Sequence, residues 1–285
     1  MFEIVEKQTL SPSVHRLVIL APNIARKHRA GNFVVLRIAE KGERIPLTVA
    51  DRDAAAGTIT LVFAAVGKTT NELGTLGGGD RLLDLAGPLG KPTHIERHPG
   101  AVVCVGGGIG VATVHPIACA LREAGNRVLS VIGARTRDLL ILEEEMRRAS
   151  HELFVATDDG SYGHAGFVTD VLKQLIEREG KERLSLVVAV GPVPMMRALC
   201  RMTAPYGIPT VVSLNPIMVD ATGMCGACRV TVGGETRFAC VDGPEFDGHK
   251  VDFDELQKRL RSYLEDEKRS MQIYAERQGH QRCDT

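Results

Sequence analysis

Apolar positions fall into two rhythms along the chain. Up to about residue 95, short apolar runs stand between turn-forming residues at 2–5, 14–20, 33–38, 47–49, 58–63 and 81–85. Five to six strands at such spacing predict a small antiparallel barrel. From Ala101 the pattern changes, and apolar runs at 101–105, 127–133, 152–156, 185–190 and 210–213 alternate with helical patterns at 111–123, 143–148, 167–178 and 194–203. That alternation predicts a doubly wound parallel sheet, giving a β + α/β fold class. Regular periodicity then lapses until about 246, and a charged stretch over 252–277 reads as one helix with Phe253, Leu256, Leu260 and Leu264 on one face. The expected units are a barrel at 1–97, an α/β domain at 98–213, and a loop-rich segment with a terminal helix at 214–285. No repeat or low-complexity stretch interrupts them.

The loop-rich segment carries the most specific chemistry. Asp220, Cys225, Cys228 and Cys240 stand at D-x4-C-x2-C-x11-C, the plant-type spacing for a 2Fe-2S cluster with aspartate in place of the first cysteine. Two irons sharing two sulfides need four ligands converging from a tight loop and a returning strand. Gly223, Gly226 and Ala227 leave room for that wrapping and for amides that face the sulfides. A carboxylate is a harder ligand than a thiolate and alters the potential of its iron. A zinc site of Cys3Asp type and an unliganded cysteine-rich hairpin are the alternatives.

Composition narrows the classes. A chain of 285 residues with 35 acidic and 35 basic side chains has no net charge, which argues against nucleic acid or an anionic membrane as obligatory partner. Of seven cysteines, three belong to the cluster pattern; Cys104, Cys119 and Cys200 sit in apolar stretches as small core residues, and Cys283 reads as a free thiol in a polar tail. This usage suits a reducing compartment. The start lacks an apolar signal core, and no run reaches the ~18 apolar residues of a membrane span, so a cytoplasmic location is expected.

Two turns frame a crevice at the carboxyl edge of the expected parallel sheet. Gly106-Gly107-Gly108-Ile109-Gly110 follows an apolar strand and opens a helix, where bare amides and the helix dipole can hold a phosphate. Gly191-Pro192, with Met195 in the helix that follows, forms the second turn. The spacing is not G-x-G-x-x-G, and Arg135 and Arg137 stand where an acidic residue would end the second strand, so the ordinary NAD fingerprint is absent. In the barrel, Arg44-Ile45-Pro46-Leu47-Thr48 and the run Ala64, Ala65, Val66, Gly67, Lys68, Thr69, Thr70 read either as a pyrophosphate-holding surface or as an ordinary barrel edge. Gly67-Lys68-Thr69 is not a P-loop, because Val62 occupies the place of its first glycine and no strand-loop-helix is expected there.

The order of these parts, R-x-P-L-T and V-G-K-T-T, then G-G-G-I-G, G-P-x-P-M-M and D-x4-C-x2-C-x11-C, resembles the ferredoxin reductase-like electron-transfer subunits over nearly the full length. Within them it is most similar to the small subunit of NADH-dependent ferredoxin:NADP oxidoreductase, also called sulfide dehydrogenase beta subunit, which shares the aspartate. The related electron-transfer subunit of dihydroorotate dehydrogenase has cysteine at that place. The resemblance implies FAD in the barrel, lined by Arg44, Pro46, Leu47 and Thr48, with the 64–70 segment around its pyrophosphate. It implies NAD(P)H over Gly106 to Gly110 and near Gly191 to Met196, a 2Fe-2S cluster on Asp220, Cys225, Cys228 and Cys240, and a larger flavoprotein or iron-sulfur subunit as partner in a heterodimer. Ferredoxin is then an indirect partner.

Hydride transfer needs no general base, and none is nominated; Thr48 and Lys68 are candidates for tuning the flavin. Arg135 and Arg137 can meet a 2′-phosphate, whereas the resemblance leans toward NADH. The Thr157-Asp158-Asp159-Gly160 turn can approach the nucleotide. His115, His164 and His249 lack metal spacing and read as structural, and Glu143-Glu144-Glu145 as a solvated helix face. Two other functions fit the same residues: electron delivery to dihydroorotate dehydrogenase, and a non-catalytic redox-sensing or zinc-binding module.

Overall fold

A computed structural model describes residues 1–283 of the chain. Strands β1 (Phe2–Ser11), β2 (Val14–Leu20), β3 (Phe33–Arg37), β4 (Ile45–Asp53), β5 (Thr58–Ala64), β6 (Arg81–Leu82) and β7 (Asp84–Leu89) form a nearly closed antiparallel barrel in the order β6-β1-β2-β5-β4-β3-β7. Alternate residues point inward. Leu17 and Ile19 from β2, Val49 from β4, and Ile59, Leu61 and Phe63 from β5 make its core.

The barrel has more strand than the pattern suggested. The run expected at 81–85 is two strands, divided at Leu83, whose N–H reaches the carbonyls of Arg37 and Ile38. β7 continues through Pro88, which argues against a strand in the sequence but is tolerated because β7 lies at the sheet edge. β4 runs on through Asp51, Arg52 and Asp53, polar and exposed, because β5 supplies partners for them at Thr60, Ile59 and Thr58.

Two short helices were not expected. α1 (Pro22–Lys27) opens on Pro22, whose fixed φ suits a first helical position. α2 (Lys68–Thr75) follows β5 directly, so a strand-loop-helix is present after all. Val62 still stands in place of the first glycine, and β5 runs antiparallel through Ala64 and leaves only 65–67 as loop, so the segment is no P-loop.

The second sheet is doubly wound as expected. Strands β8 (Ala101–Gly107), β9 (Val128–Ala134), β10 (Glu152–Thr157), β11 (His164–Ala165), β12 (Leu184–Val190) and β13 (Thr210–Ser213) run parallel in the order β11-β10-β9-β8-β12-β13. α3 (Gly110–Glu123) and α4 (Glu143–Ala149) pack on one face, while α5 (Val168–Glu179) and α6 (Val193–Thr203) pack on the other. Cys104 and Cys200 are buried as expected, and burial pushes each thiol up to about 12. Cys119 instead lines a hollow, with its sulfur 3.5 Å from His115 Nε2.

The segment after β13 folds back onto this sheet. It contributes the hairpin β14 (Arg229–Val232) and β15 (Glu235–Phe238), then β16 (Glu245–Asp247), which pairs antiparallel with β13 at the sheet edge. The expected single terminal helix is two, α7 (Phe253–Arg259) and α8 (Leu264–Cys283), broken at 260–263. Phe253 and Leu256 are buried in the α/β core and Leu260 packs at its margin. Leu264 lies past that margin and is 42% exposed. α8 then runs beside α2, where the Asn71 side-chain amide lies 3.9 Å from Met271 Sδ. The Cys283 thiol lies outside the described side chains. Among the described residues no helix is long and apolar enough to cross a membrane.

Candidate functional site

The glycine turn after β8 is shaped by contacts on both of its sides. Gly108 has φ +54 and open space where a Cβ would stand, leaving its backbone bare toward the cleft. Gly110 is held so closely against the end of β12 that a Cβ would lie 2.3 Å from the Val190 carbonyl oxygen. α3 therefore begins beside β12, with first-turn amides that have no intrahelical partner. Those amides and the dipole suit an anionic group. Gly191 and Pro192 open α6 in the same way from β12.

A cavity of about 380 Å³ joins these turns to the barrel. Its wall contains Pro46, Leu47 and Thr48 from β4, Gly107, Gly108, Ile109 and Gly110 from the first turn, and Gly191 and Pro192 from the second. Two residues of the expected set stand behind that wall. Gly106 faces Val111 across the strand-helix junction, and Met195 fills the space beneath both turns, its sulfur 2.3 Å from where a Gly107 Cβ would be. The remaining lining is Phe33, Thr113, Val190, Ser213, Leu214, Asn215, Pro216, Met218 and Pro244, so the whole wall lacks an ionisable side chain. Sequence reasoning missed the 213–218 stretch by ending the α/β domain at 213 and assigning 214–218 to the cysteine-bearing segment. Its signal was its place at the carboxyl end of a strand in a doubly wound sheet. Phe33 gave no signal, since it reads as an ordinary barrel residue.

The other barrel residues gather nearby at the start of α2. Continuing the antiparallel register beyond Val49↔Leu61 carries Leu47 and Pro46 toward Phe63 and Ala64, and Ala65 N–H bonds Ser13 at the barrel rim. The Thr70 hydroxyl accepts the N–H groups of Val66 and Gly67 at 3.1 and 2.9 Å, fixing the turn. The amides of 68–70 are left pointing ahead of the helix. Thr69 donates its hydroxyl to the Glu43 carboxylate, which brings the loop bearing the exposed Arg44 onto this turn.

The metal segment places its four donors as two pairs. Asp220 accepts the Thr222 N–H on Oδ1 and the Cys225 N–H on Oδ2, both at 2.9 Å. These backbone hydrogen bonds, that from Thr222 first, hold its carboxyl below the usual range, so it is a carboxylate. The second pair is Cys228 and Cys240, both 2% exposed, with the Cys240 N–H 3.4 Å from Cys228 Sγ. Burial, then the adjoining Cys228 thiol, pushes the Cys240 thiol up to about 12. Among the described residues no three His, Cys, Asp or Glu side chains close around a single point as one ion would require. Such a donor set is one that would hold a two-iron cluster rather than a single ion. Gly223 and Gly226 take φ +86 and +67 in the intervening turns, as does the non-glycine Ala221 at φ +59.

The cavity and the metal segment share a wall. Phe33 and Met218 line the cavity and also belong to the apolar cluster that encloses Cys228, Ala239 and Cys240. No elongated linker separates the two regions.

Other groups singled out from the sequence lie elsewhere. The Arg137 guanidinium stacks 5.2 Å from the Tyr162 ring, and Asp159 binds Ser161, so the arginine pair and the acidic turn meet at the ends of β9 and β10. The exposed His249 bonds Thr203 at 2.9 Å and the half-buried His115 approaches the Ala50 carbonyl at 3.4 Å, so each ring is taken up by a contact of the fold. A larger hollow of about 560 Å³ beside His115 is walled by Asp51, Arg122, Glu123, Glu145 and Arg148 and includes neither glycine turn.

Residues 215–252 match the family model for the iron-sulfur cluster binding domain of dihydroorotate dehydrogenase B. The chain is 50% identical to a dihydroorotate dehydrogenase B (NAD(+)) electron transfer subunit homolog from Thermotoga maritima, across 97% of this chain and 96% of that one. It is 35% identical to the electron transfer subunit of dihydroorotate dehydrogenase B from Geobacillus thermodenitrificans, across 87% of this chain and 96% of that one. A solved chain from an NADH-dependent reduced ferredoxin-NADP oxidoreductase, studied for flavin-based electron bifurcation, superposes with a TM-score of 0.91 at 49% identity, covering 96% of this chain and 98% of that one.

Proposed function

The chain belongs to the family of dihydroorotate dehydrogenase B electron-transfer subunits and their homologues, and on that premise we propose that it takes reducing equivalents from NAD(P)H at a flavin in the barrel-sheet cleft and passes single electrons through a 2Fe-2S cluster to a larger partner subunit. The observation that carries this reading is the cleft wall: both glycine turns and the Pro46-Leu47-Thr48 strand meet there without any ionisable side chain. Hydrolysis or proton abstraction would need an acid or base at such a place. Hydride transfer needs only orientation and exclusion of water.

A bound flavin supplies acceptance of two electrons as hydride and their release one at a time, and a two-iron cluster carries them singly. The chain's own residues do the positioning. Gly108 and the first turn of α3 offer amides to a dinucleotide phosphate, and Gly191 and Pro192 close the opposite side. Thr48 is a polar group on the β4 wall that would orient a flavin ring, and the first-turn amides of Lys68, Thr69 and Thr70 would take its pyrophosphate. Asp220, Cys225, Cys228 and Cys240 would hold the cluster. Phe33 and Met218 line the cleft and also pack around Cys228 and Cys240.

Two features favour the ferredoxin:NADP oxidoreductase type over delivery to dihydroorotate dehydrogenase. Identity is 49% to the solved oxidoreductase chain against 35% to the Geobacillus subunit, the 50% identical Thermotoga chain being a homolog of the latter type, and Asp220 stands where the resemblance gives that type a cysteine. A partner is expected to dock over the cluster loop. Cys225 is exposed there, and Val219, Met224 and Val241 expose 55%, 88% and 40% of their surface around it.

Purified holoprotein tests the reading directly. Bound FAD, iron and sulfide in a ratio of two each per cluster, and NAD(P)H-driven reduction of a dye acceptor are expected. A colourless zinc protein without that activity would refute it, and co-purification with dihydroorotate dehydrogenase would replace the favoured partner.

A further inference from the structure

Two guanidinium groups grip the cluster loop from its outer side. Arg259, the last residue of α7, donates from Nη2 to the Ala227 carbonyl at 3.0 Å. Arg229, the first residue of β14, donates from Nη1 to the Gly226 carbonyl at 3.2 Å. These carbonyls belong to successive peptide units, and a trans peptide directs its N–H opposite to its C=O. Holding the Gly226 carbonyl outside therefore turns the Ala227 N–H inward, where it lies 3.5 Å from Cys225 Sγ. Holding the Ala227 carbonyl turns the Cys228 N–H inward in the same way.

The two arginines differ in footing. Arg229 is exposed. Both line a cavity of about 310 Å³ with Cys225, Ala227, Leu256 and Tyr263, but Arg259 is half-buried there, so water screens its charge less. Its helix is also anchored. Leu256 is 1% exposed, and Asp254 takes a bidentate pair from Arg197 of α6 at 2.7 and 3.1 Å. α6 in turn starts at the Gly191-Pro192 turn of the cleft.

We propose that Arg259 is a positioning residue that raises the reduction potential of the cluster by fixing the Ala227 peptide and placing a positive charge beside Cys225. Inward amides and a nearby cation stabilise the form that has gained an electron, and both are recognised determinants of cluster potential. The inference rests on the reading of Asp220, Cys225, Cys228 and Cys240 as the cluster ligands.

The test is a potentiometric titration of the full-length holoprotein, followed by the electron paramagnetic resonance signal of the reduced cluster. Arg259→Met should make reduction about tenfold less favourable, a downward shift of about 59 mV for one electron. Arg259→Lys keeps the charge without the planar fork and should recover part of that shift. Arg229→Met should move the potential less than Arg259→Met. A potential equal to wild type in Arg259→Met would overturn the proposal. Should that variant assemble no cluster, Arg259→Lys and Arg259→Gln are read instead, and wild-type potentials in both would overturn it equally. Absence of a 2Fe-2S signal from the wild-type protein would refute the underlying reading, which is a separate outcome.

Discussion

The cleft between barrel and sheet and the loop that carries Cys225 and Cys228 are built by opposite means. The cleft is made of backbone: glycines at the ends of regular strands, free helix amides and apolar walls, with no charged side chain on its surface. The loop is made of side chains: a carboxylate and three sulfurs set on irregular backbone, with Ala221, Gly223 and Gly226 at positive φ. Backbone sites depend on close approach and tolerate little added volume. Side-chain sites depend on the identity of a few atoms. Single substitutions should therefore damage the two regions by different routes, and the shared wall at Phe33 and Met218 makes their separability an experimental question.

The largest effect is expected from Cys240→Ser. Cys240 is 2% exposed and its only covalent difference from the variant is the donor atom, so the protein should fold while iron content falls to background. Reduction of one-electron acceptors through the cluster should be lost. NAD(P)H reduction of a dye that accepts hydride directly should persist, because none of the cleft wall comes from Cys240. Loss of both activities in a folded variant would show that the two regions are not separable.

This contrast also explains what was legible in the sequence. Side-chain patterns announce themselves: D-x4-C-x2-C-x11-C nominated Asp220, Cys225, Cys228 and Cys240 from spacing alone, and the fold sets the Cys225 N–H on Asp220 and the Cys240 N–H beside Cys228. Backbone sites are legible only where glycine is obligatory, as at Gly108 and Gly110. The remainder of the wall is assembled by tertiary contact, which is why Phe33 carried no signal and Ser213 and Asn215 only that of their place at a strand end. α2 was missed for a related reason. Its eight residues are held by the Thr70 hydroxyl at its start and by α8 alongside, rather than by an apolar stripe of its own. The terminal helix was read as continuous because its apolar spacing persists to Leu264, although the core it packs against ends before that residue.

A smaller effect is expected at Gly110→Ala, the counterpart in the cleft. The added Cβ would lie 2.3 Å from the Val190 carbonyl oxygen, a backbone atom that cannot rotate away. The first turn of α3 must shift, at a cost on the order of 3 kcal/mol. Thermal unfolding should report the loss of stability, and equilibrium titration with NADH should report weaker binding. The cluster absorbance should stay unchanged. Unchanged nucleotide affinity would remove the α3 turn from the binding surface and leave Gly110 as a packing residue alone.

The smallest effect concerns the seam that both regions share. Glu245 sits in β16, between the cluster segment and the edge of the α/β sheet, and accepts the Thr93 hydroxyl at 2.5 Å while lying against Gly31 of the barrel. Cys104 of β8 faces it, a neutral thiol at ordinary pH. Lys91 lies nearby but pairs with Asp242 at 4.0 Å. Burial raises the Glu245 carboxyl from 4.5 to about 7, a rise only partly offset by the Thr93 hydrogen bond. Because the folded value lies above the unfolded one, the stability that the neutral acid contributes is complete below pH 4.5 and is lost as pH climbs through about 7. The full difference corresponds to roughly 3 kcal/mol, and residual solvent access reduces it to about 2. Glu245→Gln keeps the acceptor for Thr93 without the charge. Its thermal midpoint should match wild type near pH 4.5 and exceed it by roughly 5 °C above pH 7.5. An equal margin at both pH values would mean that Glu245 titrates alike in the folded and unfolded chain. The seam would then be a fixed polar contact, and protonation would have no part in joining cleft to cluster.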